Sequence, residues 1–534
     1  MTTIRRIYAY LLAFAGLAMV STAAANLGQL LLDVVLQSPV ATTERYVRDT
    51  ASLWGATALV GLPVWLLHWL WIQRTARGDP SERSSTLRRL YLYALLGSAS
   101  LVIGFSTREV LLRLGDALVG IAGLGITPDL TVRPLPFTLV AGVVWLTHWR
   151  VAAADRFQVG EEGGSATLRR WYAYGAALIG LMVLLNGARA LVEVLWQIAV
   201  PAGASAGREI APPVADTLVG LGIWLVHWVV LPRRLPEAAQ RDDGVSVLRS
   251  VYLFVVLAVC VIGTLLGASQ LLYYAMGRLL GVDRPGGIGG DLLQAAAGPA
   301  SVLIVYGAAW AYQRDALRRQ AVAFSEAPRQ AGIRRLYTYV IVLVALGVLA
   351  TGVAGLLWTL GDELFAPGAA VGDFWRERVA LYATLAIVGL PVWLLHWRPR
   401  PGSAAEAGAL ARRLYIYLSL IAAMLTVVGA VAGVVYRLLG LALGGTFAQD
   451  VATDLAHAVA LASVAALVAI YHWRVLRADA RVAASVRVAA ASAAAASVVI
   501  VEISAQDADG LGRALAALRA TGVEVRILQP NQAT

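Results

Sequence analysis

Arg88-Arg-Leu-Tyr-Leu-Tyr93 stands at the head of a long apolar run, and the same six-residue phrase recurs along the chain. Arg-Arg-x-Tyr-x-Tyr is read at Arg5–Tyr10, Arg88–Tyr93, Arg169–Tyr174, Arg334–Tyr339 and Arg412–Tyr417, with a worn copy, Arg249-Ser-Val-Tyr-Leu-Phe254, in the remaining slot. The first tyrosines are 83, 81, 80, 85 and 78 residues apart. A second phrase, Trp-x-x-His-Trp, follows at Trp65–Trp69, Trp145–Trp149, Trp224–Trp228 and Trp393–Trp397, with a partial form at His472-Trp473. In the fourth copy Gln313 and Arg314 replace its His-Trp pair. A fixed period of this kind defines a repeat architecture. It predicts six tandem copies of a two-helix unit over 1–79, 80–160, 161–240, 241–325, 326–402 and 403–480, followed by a tail over 481–534.

Composition places the units in a membrane. Of 534 residues, 59% are hydrophobic and 14% charged, with a mean hydropathy of +0.69; a soluble domain carries about 25% charged residues. Each unit supplies two apolar runs near the ~20 residues that cross a bilayer. The predicted spans are Ile7–Leu32 and Ala51–Ile72, Leu90–Leu112 and Phe137–Val151, Trp171–Trp196 and Val214–Val230, Val251–Met276 and Leu292–Tyr312, Leu336–Leu360 and Val379–Trp397, and Leu414–Leu439 and Leu455–Trp473. These runs are too long and too uniformly apolar for transmembrane strands, which alternate over about ten residues. The expected fold is an all-α integral membrane protein. Met1–Ala25 has the look of a cleavable leader, but the same pattern recurs internally, so it reads as the first helix of the first unit.

Charge sets the expected topology. The basic residues are all arginine, and 29 of the 44 fall at the amino terminus, in the five loops between units and in the residues up to Arg487. The positive-inside rule then puts both termini in the cytoplasm of a cell-membrane protein. Two spans per unit make every unit enter in the same direction, unlike inverted-repeat transporters.

Five of the six histidines lie in the closing phrase: His68, His148, His227, His396 and His472. Neutral imidazole can ligate haem iron or a transition metal. The neighbouring tryptophans, tyrosines and arginines also suit an interfacial belt, with histidine–tyrosine bonds between helices. A second candidate group sits toward the far end of the first helices: Arg108, Glu109 and Arg113 in unit two, and Asn186, Arg189 and Glu193 in unit three. Ionisable groups in a span raise the prospect of contact with a solute or ion. Pro63 and Pro391 predict a break in the second helix, and Gly263/Gly267 and Gly429/Gly433 have the spacing of close helix contact.

Other chemistry finds little footing. The single cysteine, Cys260, precludes an internal disulfide or a multi-cysteine metal site. Phosphate loops and metalloprotease helices are missing from the sequence. The reading is a protein without enzymatic activity or cofactor, with the bilayer as its first partner. Its basic loops suit anionic lipid headgroups better than nucleic acid. In the tail, Ala478–Ser497 reads as a helical linker, Val498–Ser504 and Val523–Leu528 as strands, and Asp507–Thr521 as a helix. A βαβ piece this small needs a second copy, the membrane domain or a partner to fold against, which makes 498–529 a candidate assembly surface.

The tandem opening and closing phrases resemble a bacterial membrane family known as a domain of unknown function, 5671, over residues 1 to about 480. That resemblance implies a multi-pass helical membrane protein and carries no activity and no site residues.

The leading expectation is therefore a membrane scaffold or partner-binding subunit. The alternatives are a channel or transporter using the space between units, and a haem-binding electron carrier.

Overall fold

The computed structural model describes residues 3–38, 43–119, 132–200, 209–287, 291–323, 328–366, 374–399, 401, 404–444, 449–496 and 508–520. Twelve helices within them are long and apolar enough to cross a membrane, and among the described residues there is no strand. They are α1 (Thr3–Val35), α2 (Glu44–Gly78), α3 (Thr86–Val119), α4 (Leu135–Val159), α5 (Gly163–Ala199) and α6 (Ala211–Arg233). The remaining six are α7 (Val247–Leu279), α8 (Ala297–Ala323), α9 (Pro328–Phe365), α10 (Phe374–His396), α11 (Leu410–Ala442) and α12 (Gln449–Ala496). A helix α13 (Ala508–Ala520) follows. The chain is a multi-pass helical membrane protein. Large apolar side chains stand on its outer surface, Leu59 at 76%, Leu67 at 69% and Leu425 at 67% exposure. Hydrocarbon solvates such faces and water does not.

Consecutive helices pack as hairpins whose partners run in opposite directions. In α5, Gly180 lies against Trp224 of α6 and Gly187 against Thr217, so the numbering rises on one helix as it falls on the other. A Cβ on Gly180 would sit 2.7 Å from the Trp224 nitrogen, and one on Gly187 2.5 Å from the Thr217 nitrogen. These glycines permit the close backbone approach that drives association where lipid is as apolar as the helices themselves. Gly16 against Trp65 and Gly352 against Ala386 repeat the device in α1–α2 and α9–α10.

Hairpins then pack in a row. The first helix of each meets the second helix of the next: α1 with α4, α3 with α6, α5 with α8, α7 with α10 and α9 with α12. No packed interface joins α11 to α2, so among the described residues the two ends of the row are not closed on each other.

Several expectations change. Pro63 and Pro391 lie inside the continuous helices α2 and α10; each removes one donor without ending the helix. The irregularity falls instead in α6, where Leu225–Val230 forms a π turn just before Pro232, whose missing N–H cannot extend the ladder. Gly263 and Gly267 do pack closely, on Tyr306 and Leu303, but Gly429 and Gly433 face open space. The alanine-rich stretch from Ala478 is not a separate linker. It continues α12, whose 48 residues reach about 72 Å, more than twice the ~30 Å hydrocarbon core. In the tail the predicted helix is present as α13, while the predicted strands Val498–Ser504 and Val523–Leu528 lie outside the described residues.

Candidate functional site

The opening and closing phrases meet at one end of the hairpins, and their side chains bond to one another. Each closing-phrase histidine places Nδ1 2.7–2.8 Å from the carbonyl four residues back: Val64 for His68, Val144 for His148, Ile223 for His227, Val392 for His396 and Val468 for His472. A carbonyl oxygen only accepts, so Nδ1 carries the proton and the neutral ring presents an Nε2 lone pair.

In two hairpins that lone pair takes a tyrosine hydroxyl. Tyr172 donates to His227 and Tyr415 to His472, both at 2.8 Å. The same hydroxyls accept from the preceding hairpin, Tyr172 from Trp145 Nε1 at 2.8 Å and Tyr415 from Trp393 Nε1 at 3.1 Å. A Trp–Tyr–His chain thus ties α4, α5 and α6, and another ties α10, α11 and α12. In the worn fourth hairpin Trp224 still donates to Tyr252, at 3.1 Å. The second tryptophan of the phrase makes a parallel bond, Trp397 to Tyr471 at 2.6 Å and Trp228 to Tyr312 at 3.3 Å.

Several arginines of the opening phrase are engaged as well. Arg88 bonds Asp155 and Arg412 bonds Asp479, each at 2.6 Å, with both arginines buried. Arg169 takes Asp243 through two bonds of 2.6 Å, and Arg6 takes Glu82 at 2.8 and 2.9 Å. Glu161, between hairpins two and three, accepts from Tyr93 at 2.6 Å and Arg169 at 2.7 Å, so it bridges the two. Three of these carboxylates, Glu82, Glu161 and Asp243, lie in segments between spans. The hydrogen bond from Arg6 lowers the Glu82 carboxyl below its usual range. Burial would raise Asp243, but Arg169 and Arg170 outweigh it and hold that carboxyl low. Buried pairs of this kind are costly to break, because removing one partner leaves the other an uncompensated buried charge.

The predicted charged group near the other end separates into a linked set on α3 and α6 and a pair on α5. Arg108 on α3 bonds Asp216 on α6 at 2.5 Å, and Glu109 lies 3.5 Å from Arg108 and 3.9 Å from Arg113. Arg189 and Glu193 pair along α5 at 2.6 Å, while Asn186 is exposed. A cluster missed in the sequence joins α9, α10 and α12. Asp362 accepts from Arg378 at 2.5 Å and bonds His457, whose ring stacks on Trp358 at 3.9 Å between centroids. Asp155 and Asp479 were missed too, although both stand seven residues after the closing histidine, a periodic signal the sequence offered. Asp216, Asp243 and Asp362 carry no such register.

The arrangement offers interhelical bonds more readily than ligation. His227 and His472 spend Nε2 on tyrosine, and the nearest ring around His148 is Trp69, at 5.1 Å, with no second histidine beside it. Among the described residues no three metal-binding side chains gather. Two cavities border these phrases. One of about 610 Å³ opens beside Trp228, Arg249 and Tyr312 at the end where the phrases meet. Another of about 310 Å³, between α3, α4 and α6, is lined mainly by apolar residues such as Ile103, Leu218 and Ile223. Neither is lined by Arg108, Arg189 or Glu193.

A family model described as a domain of unknown function, DUF5671, matches residues 6–128, 170–308 and 335–456. No curated protein and no solved structure matches the chain.

Proposed function

Because the chain belongs to the DUF5671 family, whose description assigns no activity, we propose from its geometry that it is a non-enzymatic membrane scaffold or partner-binding subunit. In this reading six tandem two-helix repeats enter the cytoplasmic membrane in the same direction. The arginine-rich ends, both termini and α13 face the cytoplasm, as the positive-inside rule directs. One observation carries the proposal: at two junctions the side chains of both phrases join one hairpin to the next, through Trp145–Tyr172–His227 and Trp393–Tyr415–His472. Groups committed to neighbouring helices build a rigid platform and are poorly placed to handle a solute. α12 extends that platform well past the bilayer.

The test pairs two measurements on the full chain. Proteoliposomes should show no ion or small-solute flux above protein-free vesicles. A photocrosslinker replacing exposed Leu425 on α11 should give a discrete protein adduct in cells. Flux through the reconstituted protein, with lipid adducts alone, would replace the scaffold with a channel. That second reading draws on the Arg378–Asp362–His457 cluster, where a protonatable ring meets a carboxylate between helices.

A further inference from the structure

We infer that copies of this chain join head to tail, with α11 of one copy seated on α2 of the next. One register repeats along the row of hairpins. Gly115 on α3 stands 24 residues after the first tyrosine of its opening phrase, and it meets Ala211 on α6, 16 residues before the closing histidine of the next hairpin. Gly361 on α9 and Ala456 on α12 hold the same two positions and meet in the same way, a Cβ on the glycine falling 3.0 Å from the alanine Cβ. Gly28 on α1, 20 residues after its tyrosine, meets Pro136 on α4, 12 before its histidine. Gly104 on α3, 13 residues after its tyrosine, meets Val219 and Ile223 on α6, eight and four before theirs. A step forward on one helix is a step back on the other, so a single antiparallel register serves three junctions. None of these residues is exposed.

At the two ends of the row the same positions are bare. On α11 they fall to Val428, Val435 and Leu439, all exposed, Val428 at 60%. On α2 they fall to Ser52, Ala56 and Val60, all exposed, Val60 at 58%. These six side chains are small or apolar and uncharged, so pairing the two faces strands no ion among them. A second copy is the occupant they fit, because its α2 would offer α11 what α6 offers α3 and α12 offers α9. Such an interface joins unlike surfaces and extends into a ring or an open array. One part of the internal junctions is missing. Ala469 stands three residues before His472, where Trp145 and Trp393 precede His148 and His396. Tyr8 of the adjoining copy would therefore meet no indole, and packing alone would hold the copies, as it holds many helices in lipid. Resting on the scaffold reading above, this makes a second copy the platform's partner.

The experiment is disulfide crosslinking in native membranes, on the full chain with its lone cysteine removed by Cys260→Ser. Two differently tagged copies are co-expressed, one with Val428→Cys and one with Val60→Cys, and oxidised with copper phenanthroline. A disulfide-linked pair carrying both tags should form. Moving the second cysteine to exposed Leu62, about 200° round the helix from Val60, should lower the yield tenfold or more. Val428→Cys co-expressed with itself should give no pair. No disulfide between Val428→Cys and Val60→Cys, or an equal yield with Leu62→Cys, would overturn the junction. So would crosslinking of Val428→Cys to itself, which marks a twofold contact, or a disulfide confined within single chains that carry both cysteines, which marks a row closed on itself. A protein adduct at Leu425 without the Val428–Val60 disulfide would leave the scaffold reading standing with a different partner, and would overturn the second copy.

Discussion

Replacing Tyr172 by phenylalanine removes one oxygen and with it the bonds to Trp145 and His227, besides a longer contact with Ser100 at 3.5 Å. The ring is buried, and its hydroxyl accepts from Trp145 while donating to His227. Phenylalanine fills the same space, so packing is kept, and the tryptophan N–H and histidine Nε2 each lose a partner. Interhelical hydrogen bonds in membranes average ~0.6 kcal/mol and reach about 1.7, and an orphaned buried donor costs ~1–3 kcal/mol. The loss should therefore be about 1–3 kcal/mol. Tyr8 holds the same phrase position in the first hairpin. It is 55% exposed and meets His68 only ring to ring, 5.6 Å between centroids. Tyr8→Phe should cost under about 0.5 kcal/mol, as surface changes do. Reversible unfolding in mixed micelles, followed by tryptophan fluorescence, measures both. A double variant with Trp145→Phe should be less damaging than the sum of the single changes, because both remove the same bond. A neutral Tyr172→Phe, or an equal cost at Tyr8, would refute the view that these phrases join hairpins.

Three further outcomes follow from the same contacts. Arg412→Gln strands the buried Asp479 and should cost about 3–5 kcal/mol, with much of that recovered in Arg412→Leu/Asp479→Leu; the same micelle unfolding reads it. Gly220→Leu would drive a side chain into the α5 backbone at Leu184 and should abolish stable folding, whereas Gly222→Leu, with open space around it, should purify as a monodisperse species by size exclusion. Asp243 is held low, so its pairing stabilises the fold above the ordinary carboxylate range near pH 4 and is lost as pH falls through its lower folded value. Melting temperature should drop in that acid window, and Asp243→Asn should flatten the drop.

The period and hydropathy of the sequence were enough to place all twelve helices, because span length is dictated by the bilayer and recurs in every unit. Helix ends were less legible. α12 runs far beyond its apolar segment because alanine sustains a helix in water as well as in lipid. Pro63 and Pro391 misled because membrane helices absorb a lost donor that would break a soluble one. At the candidate site the histidines and tyrosines were visible as types, and their bonding was among the readings open from the start. Partners such as Asp243, Asp216 and Glu161 were not visible, since each comes from a different hairpin or loop and only packing brings it near. The Asp362–His457 pair lay hidden for the same reason, its members 95 residues apart.

Cysteine accessibility tests the central claim most directly. Cys260 is the lone, buried cysteine, so Cys260→Ser provides a clean background. Single cysteines at exposed Ser84 and Ala238, between hairpins, and at exposed Arg45 and Arg284, within hairpin turns, can then be probed with an impermeant maleimide in intact cells and inverted vesicles. The account predicts that Ser84→Cys and Ala238→Cys react only in inverted vesicles, and Arg45→Cys and Arg284→Cys only in intact cells. Labelling of Ser84→Cys and Ala238→Cys from opposite sides would contradict it.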